Sequence, residues 1–447
     1  MFPLSKNRSI WKNWSGSVQA HPQTVMYPDS IEVVADIVQR CRREGRTIRV
    51  VGSGHSFTPL TASDDILLSL DRMQGVVQID RETNTATVWA GTKLDMLGDL
   101  LYAEGLAQEN LGDINKQSIA GAISTGTHGT GRRYGNLATQ VIGLTLVAGT
   151  GEVMTFTQTS HPELFKAMQI SLGALGIIVQ ITLRLQPVYR MVSESSRKKL
   201  DHCLSQLPDL ADQHRHFEFY WFPYASQCQV KTMNPTEAPA KERKVSRYVN
   251  DILMENVLFG LLSECCRTMP QLSKTVSRLS ASSVPVSRKV DYSHRLFATS
   301  RLVRFNEMEY NIPADAMVPV IEEMRALMKK KRYHVHFPIE CRYAKADDIW
   351  LSPAYDRDSA YIAVHMYKGM PYIDYFSDME QIFLRYGGRP HWGKLHTRRG
   401  DDFEALYPKW GTFLEIRASM DPDGVLLNDY LRRLFLTVRR DEKNQCL

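Results

Sequence analysis

What the chain lacks narrows the field first. Its seven cysteines (Cys41, Cys203, Cys228, Cys265, Cys266, Cys341 and Cys446) are an odd number with no CxxC spacing. That excludes a disulfide framework and a cysteine zinc site, and it points to a reducing cytosol. No apolar run approaches the ~20 residues needed to cross a bilayer; VLFGLL at Val257–Leu262 stops far short. The opening stretch MFPLSKNRSIWKNWSG has no apolar core of a signal peptide. Carboxylates are sparse around His334 and His336, on one side of a strand, and around His391 and His396, five apart, so no metal site is expected. The net charge of +6 comes from Lys and Arg residues spread along the chain. It reads as a solvated surface, not a nucleic-acid footprint.

The glycine-rich turns also lack something. RVVGSGHSFTPL, Arg49–Leu60, follows a strand-like run and has Gly52 and Gly54, but Phe57 stands where a Rossmann turn needs its third glycine. Pro59 discourages the helix that such a turn opens, and no Gly-Lys-Ser/Thr follows to make a P-loop. A nest remains: a bend whose glycines free backbone N–H groups to converge on an anion. A second segment, SIAGAISTGTHGTG at Ser118–Gly131, has eleven Gly, Ala, Ser or Thr among fourteen residues. It reads as a loop that presses backbone against a flat ligand, with Ile119 and Ile123 partly buried. SLGALG, before the last strand of the first region, is a third small-residue turn. Three such turns, none of Rossmann type, imply a dinucleotide held in another way.

The rest of the chain, 447 residues with 43% hydrophobic content, suffices for roughly two or three units. The first 187 residues alternate strands and helices. DSIEVVADIVQRCRREG predicts a helix, with Asp29 and Glu32 as a capping box, apolar positions at helical spacing and Gly45 as C-cap. TIRVVG predicts a strand. Hairpins are predicted with turns at Arg81–Asn84 and Gly149–Gly151, a second helix over KLDMLGDLLYAEG, and a strand over GIIVQITLRL. After Pro187 come a polar loop NPTEAPAKERK, an amphipathic helix VPVIEEMRALMKKK, and strands over NEMEYNIP, HVHFPIECRYA and AYIAVHMY. Strand alternation puts Glu340 and Arg342 on one face and Ile339, Cys341 and Tyr343 on the other.

Taken together, GSGHS at Gly52–Ser56, GAISTGTHGTG, GALGIIVQITLRL, NEMEYNIP, ECRYA and RPHWGKLH resemble the vanillyl-alcohol-oxidase-like flavoproteins. Within them the chain resembles the sugar-lactone and alditol oxidases. The resemblance implies an α+β, two-domain fold. A PCMH-type FAD-binding domain covers 1–187, an α+β substrate cap covers 188–396, and a C-terminal segment, 397–447, returns to the first domain. It implies FAD held by Val51, Gly52, Ser53, Gly54, His55 and Ser56, by Ser118, Gly121, Ser124, Thr125, Gly126, His128 and Gly129, and by Gly176, Ile177 and Ile178. In relatives with a histidine in this turn, that residue is bonded to the methyl group beside the flavin's benzenoid ring, which generally raises the reduction potential. Here it is His55, a good nucleophile when neutral.

The implied catalytic residues are Glu340, Arg342 and Lys394, and Ser118 and His365 join them against substrate. A carboxylate would accept hydrogen bonds from sugar hydroxyls, and a guanidinium would stabilise the anionic reduced flavin. A lysine beside Arg342 is expected to have its pKa pushed down, suiting it to activate the substrate hydroxyl. The implied reaction takes hydride from an aldonolactone of the gulono-, galactono- or arabinono- type to the flavin, giving an ascorbate-type product, with O2 as acceptor and peroxide formed. An alditol oxidase, or a dehydrogenase passing electrons to a cytochrome or quinone, is the alternative. Whether 255–290 touches a membrane surface, as in some relatives, stays open.

Overall fold

The computed structural model describes residues 10–240, 245–298 and 302–436, with the side chains of 245–255 left aside. The first nine residues, Lys241–Lys244 of the polar loop, and Cys446 with the rest of 437–447 lie outside the described residues.

The first region holds two main sheets beside two two-stranded pairs. Strands β1 (Thr24–Met26), β2 (Ile48–Val51) and β3 (Ile66–Ser69) form a parallel sheet in the order β1-β3-β2. Strands β4 (Val76–Asp80), β5 (Thr85–Trp89), β6 (Val141–Val147), β7 (Val153–Thr157) and β8 (Ile177–Arg184) form an antiparallel sheet in the order β7-β6-β8-β5-β4. Both hairpins turn where expected. Helix α1 (Ile31–Glu44) buries Val34, Ile37, Val38 and Cys41 and ends on Gly45, whose φ of 64° lies in the left-handed region that glycine tolerates. Its start differs from the expected capping box. Ser30, not Asp29, is the N-cap, and its hydroxyl accepts the Val33 N–H at 3.3 Å; serine is as good a cap as aspartate and sits one residue closer to the apolar register. Helix α2 (Leu94–Ala103) follows. The Ser118 segment is not all loop: α3 (Ile119–Ser124) makes one and a half turns before the chain extends.

The second region is an eight-stranded antiparallel sheet: β9 (Arg190–Lys199), β10 (His216–Trp221), β11 (Gln227–Pro235), β12 (Ser287–Tyr292), β13 (Phe305–Pro313), β14 (Ile339–Ala344), β15 (Ser359–Tyr367) and β16 (Arg389–Pro390), in the order β12-β9-β11-β10-β14-β15-β13-β16. The period of two sorts the central strands. Phe217, Phe219 and Trp221 on β10, Met308, Tyr310 and Ile312 on β13, Ile339, Cys341 and Tyr343 on β14, and Ile362 and Val364 on β15 form one apolar core with helices α4 (Met317–Lys331) and α5 (Ile373–Arg385). The opposite face of these strands carries charge. His334 and His336 are not on a strand, because β14 begins only at Ile339, after Pro338.

Two C-terminal helices, α6 (Trp410–Met420) and α7 (Asp429–Phe435), pack into the core of the first region. The Ile48 N–H donates to Val425 O at 2.8 Å, and Asn428 Nδ2 donates to the carbonyls of Pro59 and Ala62. Among the described residues no helix is long and apolar enough to cross a membrane.

Candidate active site

A cleft of about 1030 Å³ runs between the three small-residue turns. Its walls include Val51 through Ser56, Ser118, Gly121, Ser124, Thr125, Gly176, Ile177 and Ile178. Gly126, His128 and Gly129 stand behind the wall. Gly126 abuts Ile170 and Pro353, and Gly129 abuts Asn110. His128 is buried against the cap sheet, stacked on Tyr361 at 3.6 Å with Nε2 facing Glu309 Oε1 at 3.1 Å.

The cleft fits a dinucleotide on three observations. The backbone N–H groups of Ser53, Gly54, His55 and Ser56 donate to no acceptor among the described residues, so the bend presents a set of free donors for a pyrophosphate. A Cβ on Gly52 would lie 2.2 Å from Ser118 Oγ, and one on Gly176 would lie 2.5 Å from Leu146 Cδ1; the first two turns approach each other, and the third approaches β6, more closely than an added side chain allows. Arg49 then ties the surroundings together. Its buried guanidinium donates to the carbonyls of Leu60, Leu172, Gly173 and Leu426, joining the first turn to the third and to the C-terminal segment. Burial lowers its pKa to about 10, so it still carries its charge at neutral pH.

His55 stands where this cleft meets a second cavity of about 370 Å³, which shares His55, Ser56, Gln117 and Thr125 with it and adds Ile114, Phe305, Glu307, His391 and Lys394. Burial, helped by the charges of Lys394 and Lys93, lowers the His55 pKa to about 4, leaving the imidazole neutral at physiological pH. The RPHWGKLH loop is stitched to the His55 turn: Phe57 N–H donates to Gly393 O at 2.7 Å and Thr58 Oγ1 to Trp392 O at 3.1 Å. Within that loop the Gly393 N–H donates to His391 Nδ1 at 3.0 Å, and burial lowers the His391 pKa to about 3. The neutral ring therefore carries its proton on Nε2.

Lys394 corrects an expectation. Its nearest charges are carboxylates, not Arg342: Nζ lies 2.5 Å from Glu307 Oε2. Burial alone would lower its pKa, but Glu307 and Glu309 outweigh that and raise it above the ordinary lysine value. Lys394 is a held ammonium. Burial works against the Glu307 carboxylate, yet Lys394 and His365 bring its pKa down to about 2. His365 faces Glu307 Oε1 with Nε2 at 3.4 Å, across the β13–β15 register, while Nδ1 lies 2.9 Å from Pro338 O.

Glu340 and Arg342 lie on the same charged face, on β14 beside these residues. Arg342 Nε donates to Glu218 Oε2 at 2.9 Å, and its Nη2 contacts Asp113 Oδ2 at 3.2 Å and Glu340. The register sets Glu218 directly across from Arg342, and Tyr220 across from Glu340. Tyr220 O–H donates to Glu340 Oε1 at 2.9 Å, and Lys231 Nζ takes the other Glu218 oxygen at 2.9 Å. Burial opposes the Arg342 charge, but Glu340, Asp113 and Glu218 hold its pKa well above the usual value. Sequence reasoning missed Glu218, Glu307, Glu309, Asp113 and Arg49. Alternation in HFEFYW and NEMEYNIP, the pattern that put Glu340 and Arg342 on one face, also marks the three glutamates; nothing local marks Arg49 or Asp113. Among the described residues no group of three or more His, Cys, Asp or Glu could hold a metal ion.

A free-donor bend over a cleft of this size, beside a sheet of buried paired charges, suits an enzyme that binds a flavin dinucleotide. A model described as FAD binding domain matches residues 22–157, and one described as D-arabinono-1,4-lactone oxidase matches residues 181–434. The chain belongs to the D-arabinono-1,4-lactone oxidase family. It is 37% identical over 430 residues to the L-gulono-1,4-lactone dehydrogenase of Mycobacterium tuberculosis, covering 95% of this chain and 99% of that protein. It is 31% identical over 432 residues to the L-gulonolactone oxidase of Mus musculus, covering 95% and 98%. Among solved structures, a solvent-stable cholesterol oxidase superposes with a TM-score of 0.80 at 18% identity, covering 96% of this chain and 97% of that one. At that identity the likeness shows the fold alone.

Proposed function

We propose that the protein is a FAD-dependent aldonolactone oxidoreductase acting on a gulono-, galactono- or arabinono-1,4-lactone. The observation that carries this reading is the shared wall at His55, where the dinucleotide cleft and the cavity lined by Glu307 and Lys394 meet. FAD in the cleft supplies the two-electron acceptor for hydride from the hydroxyl-bearing carbon. The protein's own side chains do the rest. Lys394, an ammonium braced by Glu307, stabilises negative charge on the substrate oxygen as the carbon gives up hydride. Arg342, kept charged by three carboxylates, offsets negative charge gained by the reduced ring, and Glu340 accepts hydrogen bonds from sugar hydroxyls. The neutral His391 offers an Nε2–H donor to the same cavity.

His55 is the site of flavin attachment in this reading. A C–N bond from the imidazole would replace one C–H bond of the ring methyl, with two protons released and two electrons passed to the acceptor that serves turnover. The cysteines Cys41, Cys203, Cys228, Cys265, Cys266 and Cys341 are free, which supports a reducing, cytosolic setting. Incubating the enzyme with each lactone and with alditols tests the substrate class: turnover of a lactone is expected, and turnover of alditols alone would overturn it. Stopped-flow reoxidation in air assigns the acceptor. A rate above that of free flavin makes it O2; a rate no faster makes it a cytochrome or quinone.

A further inference from the structure

We propose that Trp14 is a positioning residue for flavin attachment at His55, an inference that rests on the covalent tether proposed above. The N-terminal hairpin, with Trp11 opposite Ala20 and Lys12 opposite Gln19, straps the Gly52–Ser56 bend. Trp14 N–H donates to Gly54 O at 2.7 Å, and Asn13 Nδ2 donates to Ser56 O at 3.0 Å. Asn13 is itself held, because its Oδ1 accepts the Val18 N–H at 3.0 Å. The strap thus takes up two carbonyls of the bend, while the N–H groups of residues 53–56 find no acceptor among the described residues.

Above this backbone seam the Trp14 indole stacks on the His55 imidazole, with centroids 5.8 Å apart and planes 28° apart. The indole is not free to swing. It meets Phe57 of the bend edge-on at 6.3 Å and Phe305 of β13 at 5.2 Å, so groups from both regions fix its plane. Trp14 also lines the cavity that holds Lys394. A ring held on both sides sets the plane of the imidazole and covers one of its faces. Both matter for a bond that forms only when a nitrogen lone pair points at one methyl carbon.

The test separates attachment from binding. Wild type, Trp14→Ala, Trp14→Phe and Trp14→Leu are purified with FAD supplied, and FAD is measured in the acid-soluble fraction and in the acid pellet. A misplaced nucleophile loses about tenfold to a hundredfold in rate. The pellet fraction of Trp14→Ala, sampled before attachment saturates, is therefore expected to fall by about that factor while total FAD per chain stays near wild type. Trp14→Phe, which keeps an aromatic face, is expected to restore most of it. An equally yellow Trp14→Ala pellet overturns the inference and leaves the tether standing. A wild-type pellet without flavin, beside a yellow supernatant, overturns the tether and this inference with it. If Trp14→Ala binds no FAD at all, the other two variants decide: less attachment in Trp14→Leu than in Trp14→Phe supports the aromatic brace, and equal attachment contradicts it.

Discussion

The cleft between the turns and the charged face of the cap sheet are built from opposite materials. The cleft leans on backbone: Gly52 and Gly176 have no room for a Cβ, and the N–H groups of residues 53–56, with no acceptor among the described residues, supply donors beside the Ser, Thr and Gln side chains of its wall. The sheet face is made of side chains that burial would neutralise if they stood alone. Arg342 is 6% exposed, Glu340 4%, Glu307 4% and Glu218 3%, and each lies against an opposite charge: Arg342 against Glu218 and Glu340, and Glu307 against Lys394. Backbone donors hold a large anionic cofactor without changing protonation state. Paired charges hold an electrostatic field that the chemistry can use without waiting for solvent to reorganise. The difference teaches where each part is fragile: the cleft to added volume, the face to removed charge.

Substitutions should therefore separate the two. Arg342→Ala is expected to retain FAD and to lower kcat/KM by about 10³-fold, the scale for deleting a preorganised charge at the reacting centre; loading by absorbance and steady-state kinetics check this together. Gly52→Leu should do the reverse. Its side chain collides with Ser118, and overpacking of about 3 kcal/mol corresponds to roughly a hundredfold weaker FAD binding, read by equilibrium titration of the apoprotein in a His55→Ala background, where no tether forms. Full FAD affinity in Gly52→Leu would break the contrast.

Glu218→Gln sharpens it. The substitution leaves Lys231 and Arg342 short of one negative charge in a buried setting, so it is expected to lower stability by about 3 kcal/mol and to reduce kcat/KM by about tenfold while leaving FAD loading unchanged. Denaturant melts and kinetics on the same preparation check both. The smallest effect at working pH comes from titration. The folded pKa values of Glu218 and Glu307, about 2, lie below the ordinary 4.5. Their contribution is therefore complete above about pH 4.5 and is lost as pH falls towards 2. Melting temperature, as far as these two carboxylates govern it, is expected to be level from pH 7 to 5 and to drop below 4.5.

Much of this division was legible in the chain. The GSGHS bend and the two other small-residue turns announced a ligand held by backbone, since such segments have little side chain with which to pack. The ECRYA alternation placed Glu340 and Arg342 on one face. Resemblance, not pattern, singled out Lys394, and its protonation was misjudged, because its partner Glu307 lies 87 positions away and only the β13–β16 pairing, continued by the Leu395 N–H on Glu307 O, brings them together. Arg49 was invisible for a similar reason: its four carbonyl partners come from three separated segments. The α1 cap slipped by one residue because Asp29 and Ser30 are both competent caps and local spacing does not choose between them.

The central claim is that the charged face works on a sugar lactone against a flavin held by the backbone cleft. The most direct measurement is anaerobic addition of an aldono-1,4-lactone to the purified holoenzyme and to Arg342→Ala, following the yellow flavin absorbance. The account predicts rapid bleaching of the wild type and far slower bleaching of the variant at equal flavin loading. A wild-type flavin that stays oxidised under every lactone tried, or a variant that bleaches as fast, would contradict it.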